Sequence, residues 1–197
     1  MVETRQRDFS AARKAMIDSQ LRTSGVNAPF VLDRMRAVPR EDFVPDAAKG
    51  VAYSDRAIPL GDGRWLSAPL FHGYMLQEAM PRVSQDAIVV DGGSGYLAEL
   101  VRPLVGKLTV LSPEEALAGA GETKADLILI DGAVEHVPDA LANALGDDGR
   151  LFTGILTGGV SRLARGRRSG TSVALLPVAE MGIPRLAQFD APKGWSF

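Results

Sequence analysis

The sequence predicts an α/β fold: a largely parallel sheet preceded by a helical N-terminal segment. Three observations carry that prediction. Four short apolar runs, at residues 88–90, 108–111, 127–130 and 151–156, lack polar alternation, as strands buried on both faces do. The first run stops at an acid and a glycine-rich turn, Asp91-Gly92-Gly93-Ser94-Gly95, which opens a helix at Tyr96. Before residue 84 the apolar spacing is helical instead.

Each N-terminal element has its own signal. Ser10 is placed to cap a first helix in which Ala12, Met16 and Ile17 repeat at helical spacing. Asn27 is placed to cap a second, with Pro29 in its first turn and Val31 and Met35 on one face. Val38-Pro39 ends it, because the residue before proline is pushed out of the helical region. Residues 45–50 predict a short third turn, and the Gly-, Pro- and Asp-rich stretch 53–65 an irregular loop or short hairpin. Ser67-Ala68-Pro69 opens a further helix, with Leu70, Tyr74 and Met75 on one side, that stops near Met80-Pro81. At the other end, residues 173–179 predict a strand that closes an antiparallel pair with 151–156. The connecting stretch 161–170 carries Arg162, Arg165, Arg167 and Arg168 and reads as a basic hairpin tip in solvent.

Composition narrows the function classes. With 197 residues and 46% hydrophobic content, the chain has enough apolar material for one substantial core and too few residues for two ordinary domains. The expected organisation is a single domain over 1–197, with 1–83 as a helical extension and 84–197 as the α/β core. The absence of cysteine excludes disulfides and thiolate zinc sites, and two histidines leave little for any other metal site. Residues 1–10 are too polar for a leader peptide, and no apolar run approaches the ~18 residues of a membrane helix, so the expected location is the cytoplasm. The net charge of −2 is unevenly spread: residues 84–150 hold four basic and twelve acidic side chains. An acidic field around the glycine turn favours a cationic ligand over a polyphosphate, and neither nucleic acid nor membrane is an expected partner.

Gly92, Gly93 and Gly95 let backbone approach a ligand, but their spacing is neither G-x-G-x-x-G nor a triphosphate loop, and a purely structural tight turn fits them too. Asp91 and Asp131 each follow a strand, on the rim where open α/β sheets bind ligands. There they hold a sulfonium, an ammonium or ribose hydroxyls, or else cap the neighbouring turns. Ser94, Asp131 and His136 follow the chain order of an α/β-hydrolase triad, yet Tyr96 stands where the nucleophile elbow needs glycine. Ser67 reads as a helix cap and His72 as a packing residue.

Larger motifs add to this reading. Val38-Pro39-Arg40-Glu41-Asp42-Phe43-Val44-Pro45, Ala52-Tyr53-Ser54-Asp55, Ile58-Pro59-Leu60-Gly61 and Leu66-Ser67-Ala68-Pro69, followed by the glycine turn, resemble the protein-L-isoaspartate O-methyltransferase family over residues 11–156. The resemblance implies a Rossmann-like S-adenosylmethionine-dependent methyltransferase fold. It implies S-adenosylmethionine as cofactor and isoaspartyl residues of damaged proteins or peptides as substrate. It makes Ser67 the catalytic-site residue and places Asp91, Gly92, Gly93, Ser94, Gly95 and Asp131 around the cofactor. The chain departs from the pattern at three points. The glycine turn is one residue short. The second strand ends at Leu111-Ser112-Pro113, where the family has a ribose-binding acid, leaving Glu114 and Glu115 as the nearest substitutes. Residues 115–125 are too few for the helix and strand that carry the adenine wall. The expectation is a truncated sheet with an eroded cofactor pocket, losing about 3–6 kcal/mol of ribose hydrogen bonding. The alternative is a non-catalytic module of the same fold that binds protein or peptide. The truncation also predicts a bare edge at 107–111, the place for a second copy in a homodimer.

Overall fold

The computed structural model describes residues 8–121 and 123–191; residues 1–7 of the polar N-terminal stretch lie outside the described residues. The helical segment comprises α1 (Ser10–Met16), which runs on into a wider π-helical turn at Ile17–Leu21, and α2 (Pro29–Ala37). A hairpin of β1 (Ile58–Gly61) and β2 (Arg64–Leu66) leads into α3 (Pro69–Ala79). The alternating part follows as β3 (Asp86–Val90), α4 (Tyr96–Val101), β4 (Lys107–Leu111), α5 (Pro113–Ala118), β5 (Ala125–Val134), α6 (Asp139–Ala144) and β6 (Leu145–Thr157). Two further strands, β7 (Val160–Ser169) and β8 (Ser172–Glu180), complete a six-stranded sheet of order β4-β3-β5-β6-β7-β8. The pairs among β4, β3, β5 and β6 are parallel, and β6-β7 and β7-β8 are antiparallel.

The twofold alternation of a strand sorts the apolar runs into two layers. Ala87, Val89, Leu127, Leu129 and Phe152 face one way and pack under α1 to α4, in one continuous core with Met16, Met35, Phe71 and Leu97. Ile88, Val90, Ile128, Ile130 and Leu151 face the other way, against α5, α6, Leu186 and Phe189. The runs lack polar alternation because helices cover both faces of the central strands.

Several local expectations are corrected by tertiary contacts. The first helix already includes Ser10, whose N–H is taken by Asp8 Oδ1 at 2.8 Å, and Phe9 holds the cap position. Ala28, not Asn27, precedes α2, because Gln77 of α3 accepts the N–H groups of both residues at 2.8 and 3.0 Å. The helix α3 starts at Pro69, two residues beyond Ser67, with Ala68 at its cap and no side-chain cap bond. Its buried residues include Phe71, His72, Met75, Leu76 and Ala79, while Leu70 and Tyr74 are only half-buried. The stretch 161–170 is not a hairpin tip but most of β7, which turns the closing pair into a three-stranded antiparallel extension. Its arginines mask the alternation, yet Leu163 and Ala164 are fully buried. The parallel strand β5 runs on to Val134, so Asp131 lies within it.

Between β4 and β5 the described residues form only α5, so the adenine-side strand is absent, as the spacing predicted. That leaves β4 as an end strand, with Val110 partly exposed.

Candidate active site

Directly after β3, Asp91 organises the glycine turn by accepting the Gly95 N–H on Oδ1 at 2.9 Å. Gly93 and Gly95 sit at φ 105° and 75°, where side chains other than glycine are strained. Gly92 is required for another reason: a Cβ there would lie 2.2 Å from the Asp131 carbonyl oxygen. Ser94 Oγ accepts the Tyr96 N–H at 3.2 Å. The hairpin presses on the turn from outside. Trp65 N–H bonds to the Gly92 carbonyl at 3.2 Å, and the Arg64 side chain lies where a Gly93 Cβ would fall.

A cavity of about 390 Å³ opens beside the turn, at the C-terminal ends of β3 and β4. Asp91, Gly92 and Gly93 line it with residues 111–115, the hairpin tip and Gln188. Its charge is acidic, with Asp62, Asp91, Glu114 and Glu115 against Arg64. Burial raises the Asp91 carboxyl above the usual carboxylate range, and the nearby charge of Asp131 adds to this. Glu115 is committed to a capping box with Ser112, and Glu114 accepts from Gln188 Nε2 at 2.9 Å. Both carboxylates are thus held in place at the cavity wall.

The C-terminal segment supplies a wall that sequence reasoning missed. Pro184 O accepts the Ala133 N–H at 2.7 Å, and Leu186 N–H bonds back to Ala133 O at 2.9 Å. Leu186 packs so closely on β5 that a Cβ on Gly132 would meet its Cγ at 2.4 Å. This docking brings Leu186 and Gln188 to the cavity. The sequence carried no signal for it beyond two apolar residues near the end.

Behind the turn lies a buried polar cluster. Ser67 and Asp131 are each 1% exposed, and Ser67 Oγ donates to Asp131 Oδ1 at 2.7 Å. The same Oδ1 lies 2.9 Å from Nε2 of the buried His72. A carboxylate accepts, so His72 carries its proton on Nε2 and leaves Nδ1 facing Arg40 Nη1 at 3.5 Å. The guanidinium of Arg40 is wholly buried. It donates to the carbonyls of Ala52 and Ser67, each at 2.8 Å, and sits 4.9 Å over the Tyr96 ring. Burial depresses its proton affinity; the neighbouring Tyr96 and Asp131 work against that. Asp131 Oδ2 has no hydrogen-bond partner among the described protein atoms.

The structure brings Asp91, Gly92, Gly93 and Gly95 to one turn and places Ser67 and Asp131 in contact behind it. The expected cap role of Ser67 fails because its hydroxyl turns inward to Asp131. A hydrolase triad is not formed: Ser94 bonds locally, and Ser67 and His72 share one carboxylate oxygen instead of forming a relay. Arg40 and His72 are the residues that sequence reasoning passed over. Arg40 stood inside the Val38-to-Pro45 motif, but nothing in its spacing marked it as buried.

A second cavity of about 430 Å³ flanks the Ser67 segment, lined by Trp65, Ala68, Phe71, Arg56, Met181 and Ile183 among others. Ser67 itself lines neither cavity: its neighbour Ala68 faces this more apolar one, and Asp131, to which it bonds, abuts Gly92 of the acidic one.

Residues 11–118 match the family model described as protein-L-isoaspartate(D-aspartate) O-methyltransferase. The chain belongs to this family. A protein-L-isoaspartate O-methyltransferase of Methylorubrum extorquens is 30% identical over 187 residues, covering 83% of this chain and 82% of its own length. One from Rhodopseudomonas palustris is 27% identical over 214 residues, covering 95% and 86%. Among solved structures, a putative protein-L-isoaspartate O-methyltransferase of Plasmodium falciparum, in complex with S-adenosyl-L-homocysteine, superposes with a TM-score of 0.68 at 16% identity. It covers 93% of this chain and 100% of its own. Another protein-L-isoaspartate O-methyltransferase superposes at 0.67 with 14% identity, covering 90% and 67%. At these identities the structures speak to the fold, which is the Rossmann-like methyltransferase fold.

The raised Asp91 carboxyl has a consequence for stability. An acid whose folded pKa exceeds its unfolded one stabilises the fold at low pH and loses that contribution as pH rises through the folded value. At pH 7 the charged Asp91 is a net cost. Asp91→Asn keeps an acceptor for the Gly95 N–H, so it is expected to raise the urea midpoint at pH 7. The gain should shrink as pH falls through the folded value and be gone below about 3.9, the unfolded carboxyl value. A less stable variant at pH 7 contradicts this.

Proposed function

We propose that this chain transfers a methyl group from S-adenosylmethionine to the α-carboxylate of an isoaspartyl residue in damaged protein, in the cytoplasm. The observation that carries the reading is the bond of Ser67 to Asp131 behind the glycine turn of an acidic cavity, with its neighbour Ala68 lining a separate, more apolar cavity. The residues present fit a cationic cofactor. Asp91 is a desolvated carboxylate that lines the acidic cavity and makes no ion pair among the described residues. A sulfonium or ammonium beside it supplies the missing countercharge. Gly92, Gly93 and Gly95 would meet the aminoacyl end, with Ser94 in the same turn, and Glu114 and Glu115 the ribose side. Asp131, behind Gly92, would act from the floor of the site.

When bound, the cofactor supplies an electrophilic methyl on a charged sulfur. An acceptor carboxylate is ionised at neutral pH, so its oxygen attacks in line without a general base. The transfer the cofactor would supply turns a carboxylate and a sulfonium into an ester and a thioether, so both charges would be neutralised and no proton would move. Positioning is what the protein contributes. Ser67 turns its hydroxyl from Asp131 toward the substrate carboxylate, and His72 Nε2–H keeps Asp131 Oδ1 partnered while it does so. Arg40 holds the Ser67 carbonyl and so fixes the backbone from which the hydroxyl swings.

We read the chain as one domain over 1–197, with 1–83 as the extension and 84–197 as the α/β core; the shared apolar core under the sheet supports this. No helix among the described residues is long and apolar enough to cross a membrane. The unpaired outer edge of β4 supports a homodimer built there. Light scattering should give twice the chain mass, and a strictly monomeric profile removes the dimer.

Calorimetric titration with S-adenosylhomocysteine tests the main reading. Binding with Kd below about 1 mM is expected, and no heat at that concentration favours the non-catalytic peptide-binding alternative. Ser67→Ala is expected to lower methylation of an isoaspartyl peptide about 10- to 100-fold with cofactor affinity unchanged. Unchanged methylation removes Ser67 from the mechanism.

A further inference from the structure

A third cavity, of about 510 Å³, lies where the end of α3 overhangs β6, β7 and β8. Its lining includes Arg150, Arg165 and Arg167, with Phe152, Leu176 and Met80. We propose that this cleft binds a compact polyanion, a ligand with two or more phosphoryl or carboxylate groups beside an apolar face. The proposal is independent of the methyl-transfer reading.

The register of the sheet brings the charges together. Arg150 pairs with Arg167 and Phe152 with Arg165 across β6 and β7, and Ala174 and Leu176 continue the same two rows on β8. Directly paired residues stand about 5 Å apart and the two rows about 7 Å apart, so three guanidinium groups rise from a patch the size of one doubly charged anion. Like charges set directly opposite repel and destabilise a sheet. Arg150 lies 6.0 Å over the Phe152 ring, and no carboxylate among the described residues pairs with any of the three. Among the described residues, Arg150, Arg165 and Arg167 make no ion pair and no side-chain hydrogen bond. Their neighbours do: Arg162 pairs with Glu180 at 2.8 Å, and Arg168 reaches Asp147 at 4.0 Å. Burial, together with the charges of Arg82 and Arg167, lowers the proton affinity of Arg150. Glu78 is the one carboxylate lining the cleft, and it forms no ion pair with these arginines among the described residues.

The apolar side of the cleft is equally unpartnered. Met80 and Leu176 are each 54% exposed. Met80 is held at φ 41°, a conformation in which a bulky side chain is uncommon. The eleven residues of α3, which begins two positions after Ser67, span about 16 Å, so the cleft is a separate site from the methyl-transfer cavities. Its basic lining is opposite in sign to the glycine-turn cavity. The charges cluster on two adjacent strands rather than along a groove, which favours a compact anion over an extended acidic chain.

Calorimetric titration of the full chain at low salt tests this, with inorganic pyrophosphate as the phosphoryl probe, citrate as the carboxylate probe and hexa-aspartate as the extended one. Binding of pyrophosphate or citrate below about 1 mM, weakening as salt is added, is the expected result. The stronger of the two identifies the anionic group. Arg165→Gln and Arg167→Gln, made singly, should each weaken binding about tenfold, leave the urea midpoint equal or higher because repulsion is removed, and leave S-adenosylhomocysteine titrations unchanged. Absence of heat with both compact probes up to about 10 mM overturns the proposal. Undiminished binding in both variants, or a preference for hexa-aspartate, overturns it equally.

Discussion

One carboxylate oxygen, Asp131 Oδ1, accepts from both Ser67 and His72, and much of the site's geometry depends on that shared acceptor. Asp131 belongs to β5, whose backbone at the same residue abuts Gly92. Ser67 comes from the N-terminal half of the chain, and His72 from the first turns of α3. The two bonds therefore fasten the helical extension to the sheet at the point where the glycine turn rests. Arg40 closes the arrangement from the far side, through His72 and the Ser67 carbonyl. Because the cluster is out of water, each member lacking its partner would bear an uncompensated desolvation cost, which makes the arrangement specific as well as stabilising.

The glycine turn is built for close approach rather than for phosphate. Asp91 closes it from within, Gly92 touches β5, and the hairpin lies over Gly93. The neighbouring cavity is acidic, and the carboxylates on the β4 side are fixed by a capping box and by Gln188. The C-terminal segment bonds to the end of β5 and contributes Leu186 and Gln188 to the cavity wall, while β4 remains the end strand of the sheet.

The four parallel strands were legible because burial on both faces leaves uninterrupted apolar runs, and the glycine turn because positive φ and close backbone contact demand glycine. β7 was hidden by arginines that line a cleft or an edge, while only Leu163, Ala164 and Gly166 of it are buried. The caps of α1 and α2 were misplaced by one residue because Asp8 and Gln77, neither adjacent to the predicted caps, take the N–H groups concerned. Asp131 was legible as an acid at the end of an apolar run but not as a buried one, since the extension of β5 past it depends on pairing with β6 and with the C-terminal segment. Arg40 was passed over, and His72 was read only as a packing residue, for the same reason: the contacts of a buried charged or titratable side chain are set by partners 27 and 59 residues away.

A thermodynamic double-mutant cycle between Ser67→Ala and Asp131→Asn, read by urea unfolding, tests the shared-acceptor account most directly. The account predicts a coupling energy of about 1 kcal/mol or more between the two positions. Additive effects, within about 0.3 kcal/mol, would contradict it.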